Sequence, residues 1–158
     1  MAGRWTKSEE QLKPDPVYNS KTLSRFINCI MYDGKKAVAQ RVVYMAMDEI
    51  EKRTKGKPTA LEVFDKALER VRPSVEVRSK RVGGANYQVP MPVNRRRQQS
   101  LAFRWILQAD RSEKGKPMYL RLAKDLMDAS KGEGKAVNTR EQTHRMADAN
   151  KAFSHFAW

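Results

Sequence analysis

The sequence predicts a mainly α-helical single domain of about six helices, with one protruding two-stranded β-hairpin between the third and the fourth helix. Two patterns carry this prediction. Apolar residues recur at helical spacing in six segments. These segments are separated by glycine, by proline or by an Asp-Gly pair. One segment, residues 75–93, instead alternates with the period of a strand before Gly83-Gly84 and returns after these glycines in a run that contains two prolines. The length of 158 residues fits one domain with a single core.

An extended arm, residues 1–17, is expected to precede the helical domain, residues 18–158. Pro14 and Pro16 disfavour helical backbone at the end of this arm. Ser20 is then a plausible N-cap. The first helix follows it with an apolar stripe at spacings of three and four, formed by Leu23, Phe26, Ile27, Ile30 and Met31.

The second helix is predicted over about residues 35–54, and Gly56 and Pro58 end it. Its inner face consists of Ala39, Val42, Val43, Ala46 and Ile50. Thr59 and Glu62 have the spacing of a capping box and begin the third helix. The stripe of that helix is Leu61, Phe64, Leu68 and Val71, and Pro73 stops it.

The hairpin is predicted in detail by its turn and its prolines. Gly83 and Gly84 can adopt the positive φ values of a two-residue turn. In the register that this turn sets, Val82 faces Ala85 as a hydrogen-bonded pair, and the prolines of the return strand, Pro90 and Pro92, fall in unbonded pairs. A lone two-stranded ribbon is marginal in water. We therefore expect this ribbon to need a partner, and its charge indicates nucleic acid.

Two more helices are predicted directly after the hairpin. The fourth runs over about residues 96–112 and turns Ala102, Trp105, Ile106 and Ala109 inward. Gly115 separates it from a fifth helix, which Pro117 can open at its first position and which Gly132 and Gly134 end.

The last helix is predicted from near Thr139 to about Phe153, with a short aromatic tail after it. His144 lies in this helix and His155 in the tail, and the chain has no other histidine. His144 stands among charged residues of a polar helix, which favours a surface histidine over a catalytic one.

Positive charge is concentrated around the ribbon. Residues 71–104 contain eight Lys or Arg and one acid, Glu76, which gives a net charge of +7 against +14 for the whole chain. The pI is about 10.1. Charge focused in this way favours a surface that binds nucleic acid over a merely solvated basic face.

The sequence lacks the motifs of catalysis and of metal binding. No Cys/His cluster has the spacing of a zinc site, and no glycine-rich phosphate loop follows a strand. We therefore expect no catalytic residue, no metal and no cofactor. Cys29 lies in the apolar pattern of the first helix, which predicts a buried, inert thiol. Trp105 follows Arg104 and has the position to stack on a base, but its apolar spacing favours core packing.

The expected location is the cytoplasm. One cysteine excludes an internal disulfide and fits a reducing compartment. The N-terminus has no apolar segment of a secretory signal, and no run is long enough to span a bilayer.

Six stretches of the chain carry a family resemblance. They are PDP at 14–16, MYDGKKAVA at 31–39, ALERVRPSVEVRSKRVGGANYQVPMPV at 67–93, LAFRWI at 101–106, LRLAKDLMDA at 120–129 and HRMADANKAFSHFAW at 144–158. In this order they closely resemble small-subunit ribosomal protein seven in its bacterial and organellar form. The ribbon and the C-terminal stretch are the most specific of them.

The resemblance implies a structural constituent of the ribosome. Members of the family bind directly to the 3′ major domain of small-subunit rRNA and nucleate assembly of the head. They lie near the tRNA exit site at the subunit interface, with the ribbon close to exit-site tRNA and mRNA. Further implied partners are the neighbouring head and platform proteins nine and eleven. The implied location is the small subunit in a bacterial cytoplasm, or in the stroma or matrix of an organelle.

The residues expected to contact RNA are all basic. They are Arg4, Lys35, Lys36, Arg72, Arg78, Lys80, Arg81, Arg95, Arg96, Arg97, Arg104, Lys114 and Lys116. The ribbon tip near tRNA consists of Val82, Gly83, Gly84 and Ala85. Family arms are often densely basic, whereas this arm sets three cations against Glu9 and Glu10. The loop of residues 110–116 likewise carries Glu113, so RNA contact is expected less at these two places than at the ribbon.

Two other classes of function fit the sequence less well. DNA-binding architectural or regulatory proteins also combine helices with a basic β-ribbon. Two features argue against that class: the ribbon has prolines along one edge, and the sequence lacks the spacing of a helix-turn-helix motif. An RNA-processing enzyme would need an acid–base or metal constellation, which the sequence lacks.

Overall fold

The computed structural model describes residues 11–157, and in this part of the chain it contains six α-helices, one β-hairpin and one 3-10 helix. In chain order these are α1 (Lys21–Ile30), α2 (Lys36–Thr54), α3 (Ala60–Val71), β1 (Val75–Val82), β2 (Ala85–Pro92), α4 (Arg95–Ser112), α5 (Met118–Lys131), α6 (Lys135–Ala149) and the 3-10 helix (Lys151–Phe156). The mainly α-helical class is confirmed, as is the position of the hairpin between the third and the fourth helix. Most of the predicted arm lies outside the described residues.

Side-chain caps begin three of the helices. Ser20 Oγ accepts a hydrogen bond from the Leu23 N–H at 3.2 Å at the start of α1. The capping box of α3 is complete, since Thr59 Oγ1 accepts from the Glu62 N–H at 3.3 Å and the Glu62 carboxylate accepts from the Thr59 N–H at 2.9 Å. Asn94 caps α4. Each cap satisfies N–H groups that a helix leaves without an internal partner.

The core forms around α5, which packs against α2, α3, α4 and α6. Phe26 connects α1 with α3 and α4, because its ring centroid lies 5.2 Å from those of Phe64 in α3 and Phe103 in α4. Trp105 is buried, with 9% of the residue exposed, so its ring has no free face to stack on a base. The core position that its apolar spacing predicted is confirmed. No described helix is long and apolar enough to cross a membrane.

The predicted apolar stripes are mostly buried, with differences at their margins. Val42 and Leu61 are half-buried, whereas Met47 and Val63 are buried although no stripe included them. Cys29 is exposed, so the prediction of a buried thiol is wrong. The buried stripe of α1 ends with Phe26, Ile27 and Ile30, and this spacing leaves positions 28 and 29 at its edge.

The C-terminal region differs from its prediction. α6 begins at Lys135, four residues before the predicted start. Gly134, with φ 97°, is the N-cap of this helix. Thr139, the predicted start, lies inside the helix and donates a hydrogen bond from its Oγ1 to the Lys135 carbonyl at 2.9 Å. α6 ends at Ala149, and a 3-10 helix replaces the predicted last α-helical turn. Pro117 is the N-cap of α5 and not its first residue.

The register of the ribbon is confirmed. Val82 pairs with Ala85, and the prolines Pro90 and Pro92 pair with valines of β1. Beyond the last of these pairs the Val93 N–H donates to the Ser74 carbonyl at 3.1 Å. This bond is in phase with the alternation that puts both prolines in unbonded pairs.

The ribbon lies on the C-terminal part of its own chain, which the sequence had not indicated. β1 packs against α6, and β2 packs against the 3-10 helix. The Tyr87 ring centroid lies 5.1 Å from that of Phe153 and 5.2 Å from that of Phe156. Lys80 Nζ donates to the Phe156 carbonyl at 2.8 Å. Protein therefore supports the ribbon that the charge pattern had assigned to nucleic acid.

Candidate nucleic-acid interface

The two faces of the ribbon divide its cations into two groups. Residues paired across the strands share a face. Arg78 and Lys80 pair with Val89 and Tyr87 on the face toward the C-terminal segment, whereas Arg81 pairs with Asn86 on the opposite face. Val89 is fully buried, and Arg81 and Asn86 are exposed. Of the three ribbon cations, Arg81 is thus the one on the outer face.

Glu76 organises two of the predicted RNA-binding arginines. Its carboxylate is on the inner face and only 7% of the residue is exposed. Oε1 accepts from Arg78 Nε at 2.8 Å, and Oε2 accepts from Arg97 Nε at 3.1 Å. Each carboxylate oxygen therefore binds one guanidinium, which joins the ribbon to the first turn of α4. The Arg78 and Arg97 side chains remain 45% and 36% exposed, so both keep part of their surface for a ligand.

The arginine triplet stands where a helix favours negative charge. Arg95, Arg96 and Arg97 form the first turn of α4, and that turn contains no acid. Cations at a helix N-terminus are unfavourable by themselves, because the macrodipole is positive there. A phosphate at this place would gain from the dipole and from the arginines together. Arg95 and Arg96 are exposed.

Lys80 and Arg72 are directed toward protein. Lys80 contacts the 3-10 helix through its ammonium group. Arg72 is the half-buried C-cap of α3 and lines a surface groove together with Glu62, Asp65 and Glu69. Burial raises the pKa of the Asp65 carboxyl, and Arg72 opposes that rise. The structure does not bring Arg72 into the group of cations on the ribbon.

A second group of cations lies at the other end of α4. The Arg111 guanidinium stands 4.4 Å above the Tyr32 ring and donates to the Ile30 carbonyl at 3.3 Å. This contact brings Tyr32, and with it the turn that leads to Lys35 and Lys36 at the start of α2, beside the end of α4. The loop that carries Lys114 and Lys116 follows α4 directly, and all four lysines are exposed. Sequence reasoning missed Arg111, although the arginine lies in the last turn of a predicted helix.

A groove between α1 and α4, called here the α1–α4 groove, lies between these two groups of cations. It has a volume of about 590 Å³ and is lined by Cys29, Ser100, Phe103, Arg104, Leu107, Gln108, Arg111 and Ser112. Although Cys29 is exposed, the groove walls desolvate it in part and raise the pKa of its thiol, with Arg25 acting in the opposite direction, so less of the thiol is thiolate at neutral pH. Arg104, a predicted RNA-binding residue, thus lies in a groove of mixed apolar and cationic character.

Two acids near the end of α4, Asp110 and Glu113, lie close to protein cations. Glu113 lies 3.5 Å from Lys135 Nζ and 3.9 Å from Lys124 Nζ. Asp110 is fully buried, 3.6 Å from Arg121 Nε. Burial raises the pKa of the Asp110 carboxyl, and Arg121 opposes that rise. Neither acid lines the α1–α4 groove.

His144 has a structural position at the base of the ribbon. Its Nε2 accepts a hydrogen bond from the Ser74 N–H at 3.2 Å, which requires an unprotonated Nε2. Burial lowers the pKa of His144, Arg140 lowers it further, and Asp148 acts in the opposite direction. The described residues contain no group of His, Cys, Asp or Glu that could hold a metal ion. Arg4 lies outside the described residues.

The chain matches a known family over nearly its whole length. The family model described as ribosomal protein S7p/S5e matches residues 3–151. The small ribosomal subunit protein uS7 of Rhodopirellula baltica is 62% identical over 156 residues, which are 99% of each chain. The proteins of the same name from Chromohalobacter salexigens and Methylobacterium radiotolerans are 51% and 49% identical over 99% and 100% of each chain, respectively.

Proposed function

The chain belongs to the S7p/S5e family of ribosomal proteins, and on this basis we propose that it binds the 3′ major domain of small-subunit rRNA directly and nucleates assembly of the head. It is a structural constituent of the small ribosomal subunit in the cytoplasm and not an enzyme. The observation that carries the proposal is the series of cations along α4: Arg95–Arg97 in its first turn, which Glu76 joins to Arg78 of the ribbon, then Arg104 and Arg111 in the α1–α4 groove.

Electrostatic docking explains how this surface would hold RNA. Each phosphate that a lysine or arginine neutralises releases counterions, so affinity falls steeply with salt. The narrow major groove of A-form RNA hides its base edges, and recognition there depends on backbone shape, junctions and splayed bases. A rigid helix with cations at both ends suits a shaped RNA junction better than a uniform duplex.

The ribbon tip is proposed to lie near exit-site tRNA and mRNA. Gly83 and Gly84 have φ values of 57° and 89°, and no atom lies within 4 Å of where a side chain would begin on either. The tip, with Val82 and Ala85 beside it, therefore projects into open space, with room for a second ligand. The neighbouring proteins nine and eleven remain proposed partners.

A salt-titrated binding assay tests the proposal. The ligand is a transcript of the 3′ major domain, with tRNA and duplex DNA as competitors. We expect binding that survives both competitors. Replacing Arg95, Arg96 and Arg97 by alanine should lower the salt slope by about 0.7–0.9 for each phosphate that the protein no longer neutralises. Equal binding to all three nucleic acids would contradict a specific rRNA site, and an unchanged slope would remove the triplet from it.

A further inference from the structure

We propose that the α1–α4 groove holds a single unstacked nucleotide of the bound RNA, with its base inside the groove and its phosphate on Arg104. The inference rests on the proposed function, because it specifies how part of that surface would read RNA. It adds a site for a base to a surface otherwise described by contacts to phosphates.

The chemistry of the floor and walls matches a nucleobase. Phe103 and Leu107 line the groove with apolar atoms, while Ser100 and Gln108 add a hydroxyl and an amide. A base presents flat apolar faces and a polar edge, and pockets for such ligands combine an apolar lining with a few polar groups. The groove volume of about 590 Å³ lies within the range of about 300–1,000 Å³ that small-ligand sites occupy.

The charge of the groove favours the phosphate of that nucleotide. Arg104 is exposed and has no hydrogen-bond or ion-pair partner within residues 11–157. Arg111, in contrast, is fixed by its bond to the Ile30 carbonyl and by the Tyr32 ring. The groove thus offers one guanidinium with protein partners, that of Arg111, and one without a partner in residues 11–157, that of Arg104, and no carboxylate lines it.

The shape of the site selects an unpaired nucleotide over duplex RNA. The groove lies between two packed helices, and its accessible lining is formed by the exposed residues Cys29, Ser100, Arg104 and Gln108, while Phe103 and Leu107 close it from below at only 2% and 5% exposure. A paired base turns its faces to its neighbours in the stack, so a duplex could touch Arg104 at the rim but could not place a base inside the groove. A base splayed out of a loop or junction can reach it.

Cys29 provides a reporter within the groove in the unchanged protein. It is the one cysteine of the chain, it is exposed, and it lines the groove. We expect alkylation of Cys29 by iodoacetamide to slow at least about tenfold when the 3′ major domain transcript is bound, with no slowing by a plain RNA duplex at equal occupancy. A complex in which Cys29 reacts as fast as in the free protein would overturn the inference.

A variant that fills the groove separates insertion of a base from mere coverage by RNA. Ser100→Trp places an indole on an exposed position of the groove wall. We expect affinity for the transcript to fall about tenfold, equivalent to about 1.4 kcal/mol, with the salt slope lower by no more than about 0.9, because only the phosphate on Arg104 would leave with the nucleotide. Asn138→Trp, at an exposed position on α6 outside the groove, is the matched control and should bind as the wild type does.

The outcomes distinguish this inference from the proposed function. Loss of affinity in Ser100→Trp alone, together with protection of Cys29, supports the nucleotide site. If Ser100→Trp folds as the wild type does and keeps its affinity, the RNA covers the groove without entering it and the inference is wrong, while rRNA binding stands. If the wild-type protein shows no preference for the transcript, the proposed function itself fails.

Discussion

Glu76 shows how one residue can give structure to a cationic surface. It is the single acid of residues 71–104, and from the sequence its only visible effect is to lower the net positive charge of this segment by one. In the fold it is buried and binds Arg78 and Arg97 at once. The two arginines are thereby held in fixed directions before any ligand binds, which reduces the ordering cost of binding.

Arg97 and Arg95 should therefore respond differently to truncation. Arg97→Ala removes a charge-assisted hydrogen bond from the buried Glu76, and we expect a loss of about 1 kcal/mol in the free energy of unfolding, discounted because Arg97 is partly exposed. Arg95→Ala should change stability by less than about 0.5 kcal/mol, because Arg95 lies exposed at a helix N-terminus that disfavours cations. Urea unfolding of the two variants measures the difference, and equal stabilities would contradict the role given to Glu76.

His144 predicts how the stability of the ribbon base depends on pH. Because the folded-state pKa of His144 is lowered, its contribution is complete above the ordinary histidine value of about 6.5 and is lost as the pH falls through the folded-state pKa. Protonation of Nε2 removes the acceptor of the Ser74 N–H. We expect unfolding measurements on the wild type to show this loss, and His144→Gln, with an amide oxygen that does not titrate, to show less of it.

Comparing the pH dependence of stability of the wild type with that of His144→Gln separates the effect of His144 from that of Asp125, which has the opposite sign. Burial and the nearby acids Glu113 and Asp110 raise the pKa of Asp125 to about 6. A raised carboxyl pKa contributes stability that is complete below its ordinary value and lost as the pH rises through about 6, the opposite sign. Asp125 is common to both proteins, so it cancels in their difference. Identical pH profiles for the wild type and His144→Gln would exclude the histidine as the cause.

At the scale of elements, local signals predicted the fold and long-range contacts limited the prediction. The capping box of Thr59 and Glu62 and the register around Gly83-Gly84 were predictable because they depend on residues near in sequence. The support of the ribbon was not, since it joins Tyr87 to Phe153 and Phe156, which are distant in sequence. The same limit applied to Arg111, whose partner Tyr32 lies on a distant loop.

The aromatic contact between the ribbon and the 3-10 helix should control how well the ribbon is ordered. Tyr87→Ala or Phe156→Ala removes ring contacts that contribute about 0.5–1.5 kcal/mol beyond area burial. We expect hydrogen exchange of ribbon amides to accelerate about tenfold, with helix α5 unaffected, because local opening follows the local contacts. RNA affinity should fall without a change in salt slope, since neither residue carries charge.

Asn86→Ala is the control for these two variants. Asn86 is exposed on the outer face of the same strand, one residue from Tyr87. Its exchange rates should match those of the wild type. If all three variants exchanged alike, the C-terminal segment would not be the support of the ribbon.

At the scale of the whole molecule, the residues that stabilise the fold differ from those proposed to bind RNA. Its core around α5 is apolar and the buried carboxylates of Glu76 and Asp110 face arginines, while residues 71–104 alone carry +7 of the net charge of +14. A net charge far from zero destabilises the compact state through self-repulsion. The same charge supplies the attraction for phosphate.

Salt should therefore act with opposite signs on the free protein and on its RNA complex. Screening weakens the self-repulsion of the +14 charge, so we expect the melting temperature of the free protein to rise as NaCl increases from low to moderate concentration. RNA bound to the folded state adds a stabilisation of RT ln(1 + [RNA]/Kd), and Kd rises with salt, so the melting temperature of the complex should fall over the same range. Thermal scans of both samples at matched salt measure the two slopes. A free protein that loses stability as salt rises would mean that attractive pairs such as Glu76 with Arg97 outweigh the net repulsion, because screening weakens attraction and repulsion alike.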